Sequence, residues 1–561
     1  MLLRTNRYNQ IIISKQNMRK PLVVGVLLLI GFLLFYTALP VINYGFTGFA
    51  ILLIFLLVLG SFLTANAETK NNKLSLKFNK GNKIAFIVAF ILLLYVTILP
   101  LLTSAPIFHN QAYREMIGKV KVGNDMSNHI APIAINKVRV VDEQLAYLLG
   151  EKILGSDPAL GSKSELGEFF IQKVGDELYW IAPLLHSGFF KWLNNTEGTE
   201  GYVMVSATNE RDVKLVQTLN GKDLKIKYQP EAFFGSQIER HAYFNGYATT
   251  GLADFNFEID NDGKPYWVAT KYSRKVGFAG DDATGVVLID AQNGEIKEYS
   301  VADAPKWVDR IQPISFVIEQ MNDWGEYVHG YWNWANTDKL MITEDLTLVY
   351  GENGRSYWYT GVSSVGKEES NVGFVLVDTR TKETTMYNQS GATEYAAQRS
   401  AEGKVQEKGY HASLPVPYTI NGIPTYVMTL KDEGGLVKMY AMVAIGDYTI
   451  VGVGNTMRET LMSFKNVYNM AGNRINPDDK DTRTNLKTVV TRIQSDIKNG
   501  NSFYYFTVNG NPKIFIGSSQ LSNELPVTVV GDSINISFDT DAEEVIDVST
   551  FDNLKLGVKK K

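Results

Sequence analysis

Residues 258–267 read EIDNDGKPYW, and the run continues as VATKY to residue 272. Oxygen-bearing side chains at 258, 260 and 262 followed by Gly263 match the opening of a twelve-residue calcium loop. An Asp-Gly pair between two apolar runs also marks a hairpin turn, because both residues tolerate left-handed dihedrals. The twelfth position of a calcium loop needs a bidentate Glu, and this chain places Ala269 there. A hairpin turn is therefore favoured over a metal site for Glu258, Asp260 and Asp262. Tyr266 and Trp267 then open the returning strand.

The same turn-then-strand pattern occurs elsewhere. GDELYWIAPL starts at Gly175, GENGRSYWYTG at Gly351 and INGIPTYVMTL at Ile420. The aromatic positions recur at intervals of 87, 91 and 69 residues. Each piece is followed by a strand, a polar turn and a second extended stretch: EGYVMVSATNERDVKLV, GVVLIDAQNGEIKEYS, VGFVLVDTRTKETTMY and LVKMYAMVAIGDYTIVGV. Asn293-Gly294 suits a tight hairpin in the second of these. A helical stretch precedes each block. In VDEQLAYLLGEKIL, Leu145, Leu148, Leu149 and Ile153 share a face and Asp142 is the N-cap. QIERHAY is shorter. In ISFVIEQMNDW, Ile314, Val317, Ile318 and Met321 form a stripe, and ATEYAAQRSAE is alanine-rich. A helix with one apolar stripe and a sheet with one apolar face must cover each other, so an α+β unit repeated about four times is expected.

The segment PYWVAT…GVVLIDAQNGEIKEYS resembles the PepSY domain, a helix packed on an antiparallel sheet with a strand ending in Asp-Ala-x-x-Gly-Glu. Asp290, Ala291, Gly294 and Glu295 carry the match, which is best over 258–300. The third block keeps Asp378 and Glu383 but loses the glycine, and the first and fourth are more diverged. The whole chain resembles long bacterial membrane proteins carrying such repeats. The resemblance implies placement outside the membrane. Because some PepSY domains are similar to peptidase propeptides, it also implies a peptidase as one class of partner. It supplies no catalytic residue.

Residues Pro21 to Ala67 contain no charged side chain. That length suits two spans of about 20 residues each, PLVVGVLLLIGFLLFYTAL and FAILLIFLLVLGSFL with its flanks. Pro40, Asn43 and Gly45 supply the turn between them. A third span, IAFIVAFILLLYVTILPLL, runs from Ile84 to Leu102. The N-terminal arm carries Arg4, Arg7, Lys15, Arg19 and Lys20, and the loop before the third span carries Lys70, Lys73, Lys77, Lys80 and Lys83. Basic flanks stay in the cytoplasm. The expected arrangement is therefore a multi-pass protein of the cytoplasmic membrane, with a cytoplasmic N-terminus and everything beyond about residue 104 outside.

The tail is a separate module. Thr456 and Glu459 form a capping-box pair, and Leu461, Phe464 and Val467 a helical stripe. After a polar linker, KTVVTRIQSDI, NSFYYFTVNG, PKIFIGSS, DSINISFDT and EVIDVSTFD read as five short strands, which suggests a small barrel of OB or SH3 type. Phe503 and Tyr505 could stack on an oligomeric ligand there, but core packing is the favoured role for them.

Several chemistries are excluded. A chain of 561 residues with net charge −4 lacks the basic balance of a nucleic-acid protein. The absence of cysteine removes disulfides, thiolate metal sites and cysteine nucleophiles. The six histidines, His109, His129, His186, His241, His329 and His411, have no zinc-helix spacing. No nucleophile elbow or phosphate loop occurs. No catalytic, cofactor or metal residue is assigned, and no enzyme is expected. The aromatic cluster Trp324, Tyr327, Tyr331, Trp332 and Trp334 is the candidate interaction surface, with an inter-repeat core as the favoured alternative. Trp307, Asp309 and Arg310 fall at the seam between the second and third units.

The expected organisation is a cytoplasmic arm (1–20), a three-helix transmembrane anchor (21–104) with a basic loop (68–83), and PepSY-like units at 105–230, 231–304, 305–390 and 391–470. A linker (471–484) and a small β-barrel (485–561) complete it. The expected function is a membrane-anchored extracytoplasmic scaffold or regulatory binding protein that engages a protein or envelope component and can self-associate. The alternatives are an envelope hydrolase with a site between repeats, marked by a cleft gathering His241 and Glu239 with acids of another repeat, or an accessory subunit of a transport or assembly complex.

Overall fold

A computed structural model describes residues 23–556, except 71–72, 125–128, 131–136, 344–345, 352–353, 366–369, 389, 473–482, 499–500, 520 and 540–544. The basic arm 1–20, Asn353 and most of the linker 471–484 lie outside the described residues.

Four antiparallel meanders follow one another along the chain. The first sheet pairs Ser164–Leu166, Glu177–His186, Tyr202–Ser206 and Val213–Val216 in that order, with Phe170–Val174 also on Glu177–His186. The second pairs Gly251–Ile259, Pro265–Val276, Ala279–Asp290 and Ile296–Ser300. The third pairs Leu340–Ile342, Ser356–Ser364, Gly373–Asp378 and Thr384–Tyr387, gains Lys121–Gly123 in parallel at one edge, and has Thr347–Tyr350 on Ser356–Ser364. The fourth pairs His411–Ala412, Ile423–Lys431, Val437–Ala444 and Asp447–Gly454, with Val416–Ile420 on Ile423–Lys431. A closed five-stranded barrel spans Arg483 to Asn553. Its core is formed by Val490, Phe506, Phe515, Ile534, Ile536, Phe538 and Phe551. Phe503 is buried in that barrel.

One hydrogen-bond pattern ties each sheet to the segment ahead of it. The residue just past the third long strand is Ala207, Ala291, Thr379 or Ile445. Its N–H donates to Leu178, Pro265, Ser356 or Pro424 at 2.8, 3.2, 3.1 and 3.0 Å. Its carbonyl accepts from Val141, Tyr228, Gln312 or Ala392 at 3.0, 3.0, 2.8 and 2.8 Å. The aromatic strand residue grips the same segment. The indole N–H groups of Trp180, Trp267 and Trp358 donate to the carbonyls of Val141, Tyr228 and Gln312 at 2.8, 2.8 and 2.9 Å. In the fourth sheet Tyr426 takes this place, with its hydroxyl 2.9 Å from that of Tyr359 and 3.5 Å from the Ala392 carbonyl.

The expected fold class is overturned in two respects. First, three membrane-crossing helices are not found among the described residues. The helices α1 (Val23–Ala38) and α2 (Gly48–Leu63) have 16 residues each, about 24 Å at 1.5 Å per residue, against a hydrocarbon core of about 30 Å. Among the described residues only α3 (Lys80–Thr103), with 24 residues, is long and apolar enough to cross a membrane. A loop at Pro40–Thr47 splits the uncharged run, and among the described residues neither helix beside it reaches that length.

Second, the units are not a row of helix-plus-sheet layers with separate cores. Trp180, Val203 and Val205 of the first sheet share a core with Trp358, Val375 and Val377 of the third. Ile181, Tyr202 and Met204, on the opposite face of the first sheet, pack with Phe257, Trp267 and Val287 of the second. Tyr359, Phe374 and Leu376 join Tyr426, Met428 and Met442 across the third and fourth. Sheet packs on sheet at each of these junctions, because both faces of most strands are apolar, while helices Glu394–Lys404 and Met457–Met470 add Ala397, Ala401 and Phe464 to the core of the fourth. Ahead of the second sheet stand the five-residue helix Ile238–Ala242 and the irregular turn Tyr243–Tyr247, and its far face is covered by the segment holding Ala304, Val308 and Ile311.

The helix faces shift accordingly. Helix Glu143–Gly155 is capped by Asp142 but buries Leu145, Ala146, Gly150 and Leu154, leaving Leu148 exposed. Helix Ile314–Glu326 buries Phe316, Val317, Gln320 and Met321, with Ile314 and Ile318 at the margin of the core.

Candidate functional site

The Asp260–Lys264 turn is a hairpin. Asp260 Oδ1 accepts from the N–H groups of Asp262 and Lys264 at 3.0 and 2.9 Å, and Gly263 takes φ +83°. Glu258 is not part of the turn. It lies fully buried in its strand and points to the junction of three sheets. Among the described residues no group of three or more His, Asp or Glu is placed to hold a metal.

At that junction Asp309 is the hub. Its Oδ2 accepts from the Lys173 N–H of the first sheet at 3.0 Å and the Tyr350 hydroxyl of the third at 2.9 Å. Its N–H donates to Glu258 Oε2 of the second at 3.2 Å. Its carbonyl accepts from Ser356 and Thr379 at 2.9 and 2.6 Å. Arg310 Nε lies 3.9 Å from Glu258 Oε1, and its guanidinium covers the Phe170 ring at 5.2 Å. Burial pushes Glu258 up to about 8, with Arg310 pulling it back, and pushes Asp309 up to about 6, with the Lys173 and Tyr350 hydrogen bonds and then Arg310 pulling it back. Such shifts can mark an active site. Here the carboxyls are sealed from solvent and tie three sheets together, so the junction is a structural clasp.

An open cleft of about 880 Å³ lies between the first and fourth sheets. This volume falls in the range of ligand sites, which is about 300–1,000 Å³. One wall is Asp142, Glu143, Tyr147, Glu168, Phe169 and Trp180; the other includes His411, Leu414, Lys431, Asp432 and Glu433. The walls meet where Lys431 forms an ion pair with Asp142 and donates to Gln144 Oε1 at 2.9 Å. Five carboxylates face two cations, Arg139 and Lys431. Lys431 is engaged by Asp142, while Glu143 and Glu168 have no ion-pair partner among the described residues. Lost hydration, then the fields of Glu168 and Asp142, hold the Glu143 carboxyl above its ordinary range. Tyr147 and Leu414 are exposed beside these acids. The arrangement favours a cation with apolar flanks.

The expected interaction cluster divides. Trp324 packs against the core shared by the first and third sheets, and Tyr327 sits 6.5 Å from Tyr113. Tyr331, Trp332 and Trp334 are exposed, with rings 5.2 and 5.4 Å apart in series. The histidines stay apart. His241 Nε2 lies 2.8 Å from the Gly294 carbonyl, and the adjacent Glu239 interacts with Gln237. Burial pulls His186 down to about 4. The cleft was missed in the sequence because its walls lie almost 300 residues apart. The signal available was the run Asp142-Glu143 beside the helix cap.

No family model matches the chain, and no curated protein matches it. Among solved structures, a B. megaterium levansucrase variant is 9% identical, covering 75% of this chain and 97% of its own, with a TM-score of 0.19. The Bombyx mori GH32 β-fructofuranosidase is 9% identical, covering 73% and 70%, with a TM-score of 0.17. An endo-1,4-β-xylanase from Bacteroides thetaiotaomicron is 11% identical, covering 69% and 96%, with a TM-score of 0.15. At these scores the likenesses carry no inference about fold or activity.

Proposed function

We propose that this chain is a membrane-anchored binding protein whose body, on the outer side of the membrane, holds a basic polypeptide segment in the cleft between the first and fourth sheets. The observation that carries the reading is the pair of unneutralised acids, Glu143 and Glu168, set beside exposed Tyr147 and Leu414 in a cleft of about 880 Å³. A lysine or arginine side chain entering there relieves the repulsion between the carboxylates, and its apolar neighbours cover the aromatic wall. The anchor is α3, with Lys77, Lys80 and Lys83 around its start, so that end lies in the cytoplasm and the body beyond Thr103 lies outside. Regulation of an envelope enzyme such as a peptidase is one use of such a site.

A photo-crosslinking residue at Tyr147 tests this in intact cells. Crosslinked protein partners are expected, and Glu143→Lys with Glu168→Lys is expected to abolish them. Both side chains reach solvent and lie outside the core, and circular dichroism of the double variant checks that the fold is kept. Crosslinks of unchanged pattern and yield in that variant contradict the reading.

A further inference from the structure

We infer that the body rests on the outer lipid surface through two exposed aromatic patches built onto the ends of the apolar helices. The inference builds on the membrane anchor proposed above and adds a second lipid contact, made by the folded body itself.

The first patch is Tyr331, Trp332 and Trp334, which are 39%, 62% and 79% exposed. It is fixed to the end of α3 through α4 (Pro106–Arg114). Arg114 donates to the Trp324 carbonyl, its guanidinium lies 5.6 Å from the Trp324 ring, and a methyl on Gly330 would sit 3.7 Å from Asn110. On α4 itself Phe108, five residues past the end of α3, is 64% exposed.

The second patch is Phe190, Leu193 and Phe234, which are 77%, 52% and 57% exposed. Phe189, Trp192 and Phe233 brace it, with centroids 5.0 to 5.9 Å apart. Arg240 joins it to the end of α1. That side chain donates to the Phe234 carbonyl at 3.1 Å and the Tyr36 carbonyl at 3.3 Å, and lies 4.4 Å from the Tyr36 ring. Phe244, 52% exposed, stacks on Tyr36 at 5.8 Å.

The first patch therefore meets the body-side end of α3, and the second meets the end of α1, whose following loop reaches α3 where the Tyr95 hydroxyl donates to the Tyr44 carbonyl; the inference sets both at the level where the hydrocarbon around α3 gives way to headgroups. Trp and Tyr rings gather at that level, and exposed Phe and Leu side chains dip into the acyl boundary just below it. Contiguous exposed aromatics of this kind are uncommon on a surface that faces only water. The lipid interface is the occupant that continues directly from α3, so no additional protein is needed to cover them.

The chain has no cysteine, so single thiols report cleanly. Full-length Trp334→Cys, Phe190→Cys, Leu93→Cys on α3 and Asp447→Cys at the exposed start of a fourth-sheet strand are labelled with an environment-sensitive dye. Each is reconstituted into phosphatidylcholine nanodiscs carrying headgroup-proximal or deep nitroxide lipids. The inference predicts that the shallow nitroxide quenches 334 and 190 several-fold more than 447, while the deep one quenches 93. Quenching at 334 and 190 equal to that at 447, with 93 still quenched, overturns the patch contact and leaves the anchor standing. No quenching at 93 overturns the anchor and the patch contact together.

Discussion

At the scale of single residues, Glu258 is where sequence and structure part most instructively. Strand alternation would place Glu258 with Asp260 and Asp262 on one face. The turn instead takes Asp260 for its own backbone, and Glu258 enters a sealed junction. The consequence is a pH dependence with a definite sign. Burial raises the Glu258 pKa from near 4.5 to about 8. A carboxyl raised on folding contributes stability that is fully present below its unfolded value and is lost as pH rises through the folded one. Stability should therefore fall between about pH 4.5 and 8, with Asp309 adding to the fall between about 4 and 6. Denaturant titrations across this window should show Glu258→Gln with a flatter slope than the parent. An unchanged slope would mean that Glu258 stays ionised beside Arg310. The turn itself was readable, since Asp-Gly chemistry is local. The junction was not, because Lys173, Glu258, Asp309 and Tyr350 come from segments that only tertiary packing brings together.

At the scale of elements, the aromatic positions that set the repeat interval prove to be tethers. Each indole of Trp180, Trp267 and Trp358 closes its sheet against the segment ahead of it. Trp358→Phe keeps most of the buried ring area and removes the bond to the Gln312 carbonyl. An unsatisfied buried acceptor costs about 1–3 kcal/mol, so a loss of that order is expected in urea unfolding, with the sheet retained by circular dichroism. A loss below about 0.5 kcal/mol, the scatter of neutral surface changes, would show that the bond contributes little. Periodicity and turn residues made these strands legible, as they did the strands of the barrel. Helix faces were less so. Leu148 continues the leucine stripe of its helix, yet lies exposed beside the cleft, since Gly150 lets Phe169 and Leu166 approach the other side.

At the scale of the whole molecule, the sequence misled where length and sharing mattered. Hydropathy marked all three apolar runs, but only Lys80–Thr103 has the length to cross a bilayer among the described residues. The expectation of self-contained units failed because an apolar strand face does not say whether a helix or another sheet will cover it. Here the first sheet is covered by the second on one face and the third on the other, so the four meanders form one body. The cleft exists only because the first and fourth sheets of that body stand opposite each other, and its proposed role depends on which side of the membrane it faces. A single thiol at Asn523, exposed on the barrel, decides this in a chain without native cysteine. A membrane-impermeant maleimide should label Asn523→Cys fully on intact cells. Labelling that appears only after lysis would place the body in the cytoplasm and contradict the account.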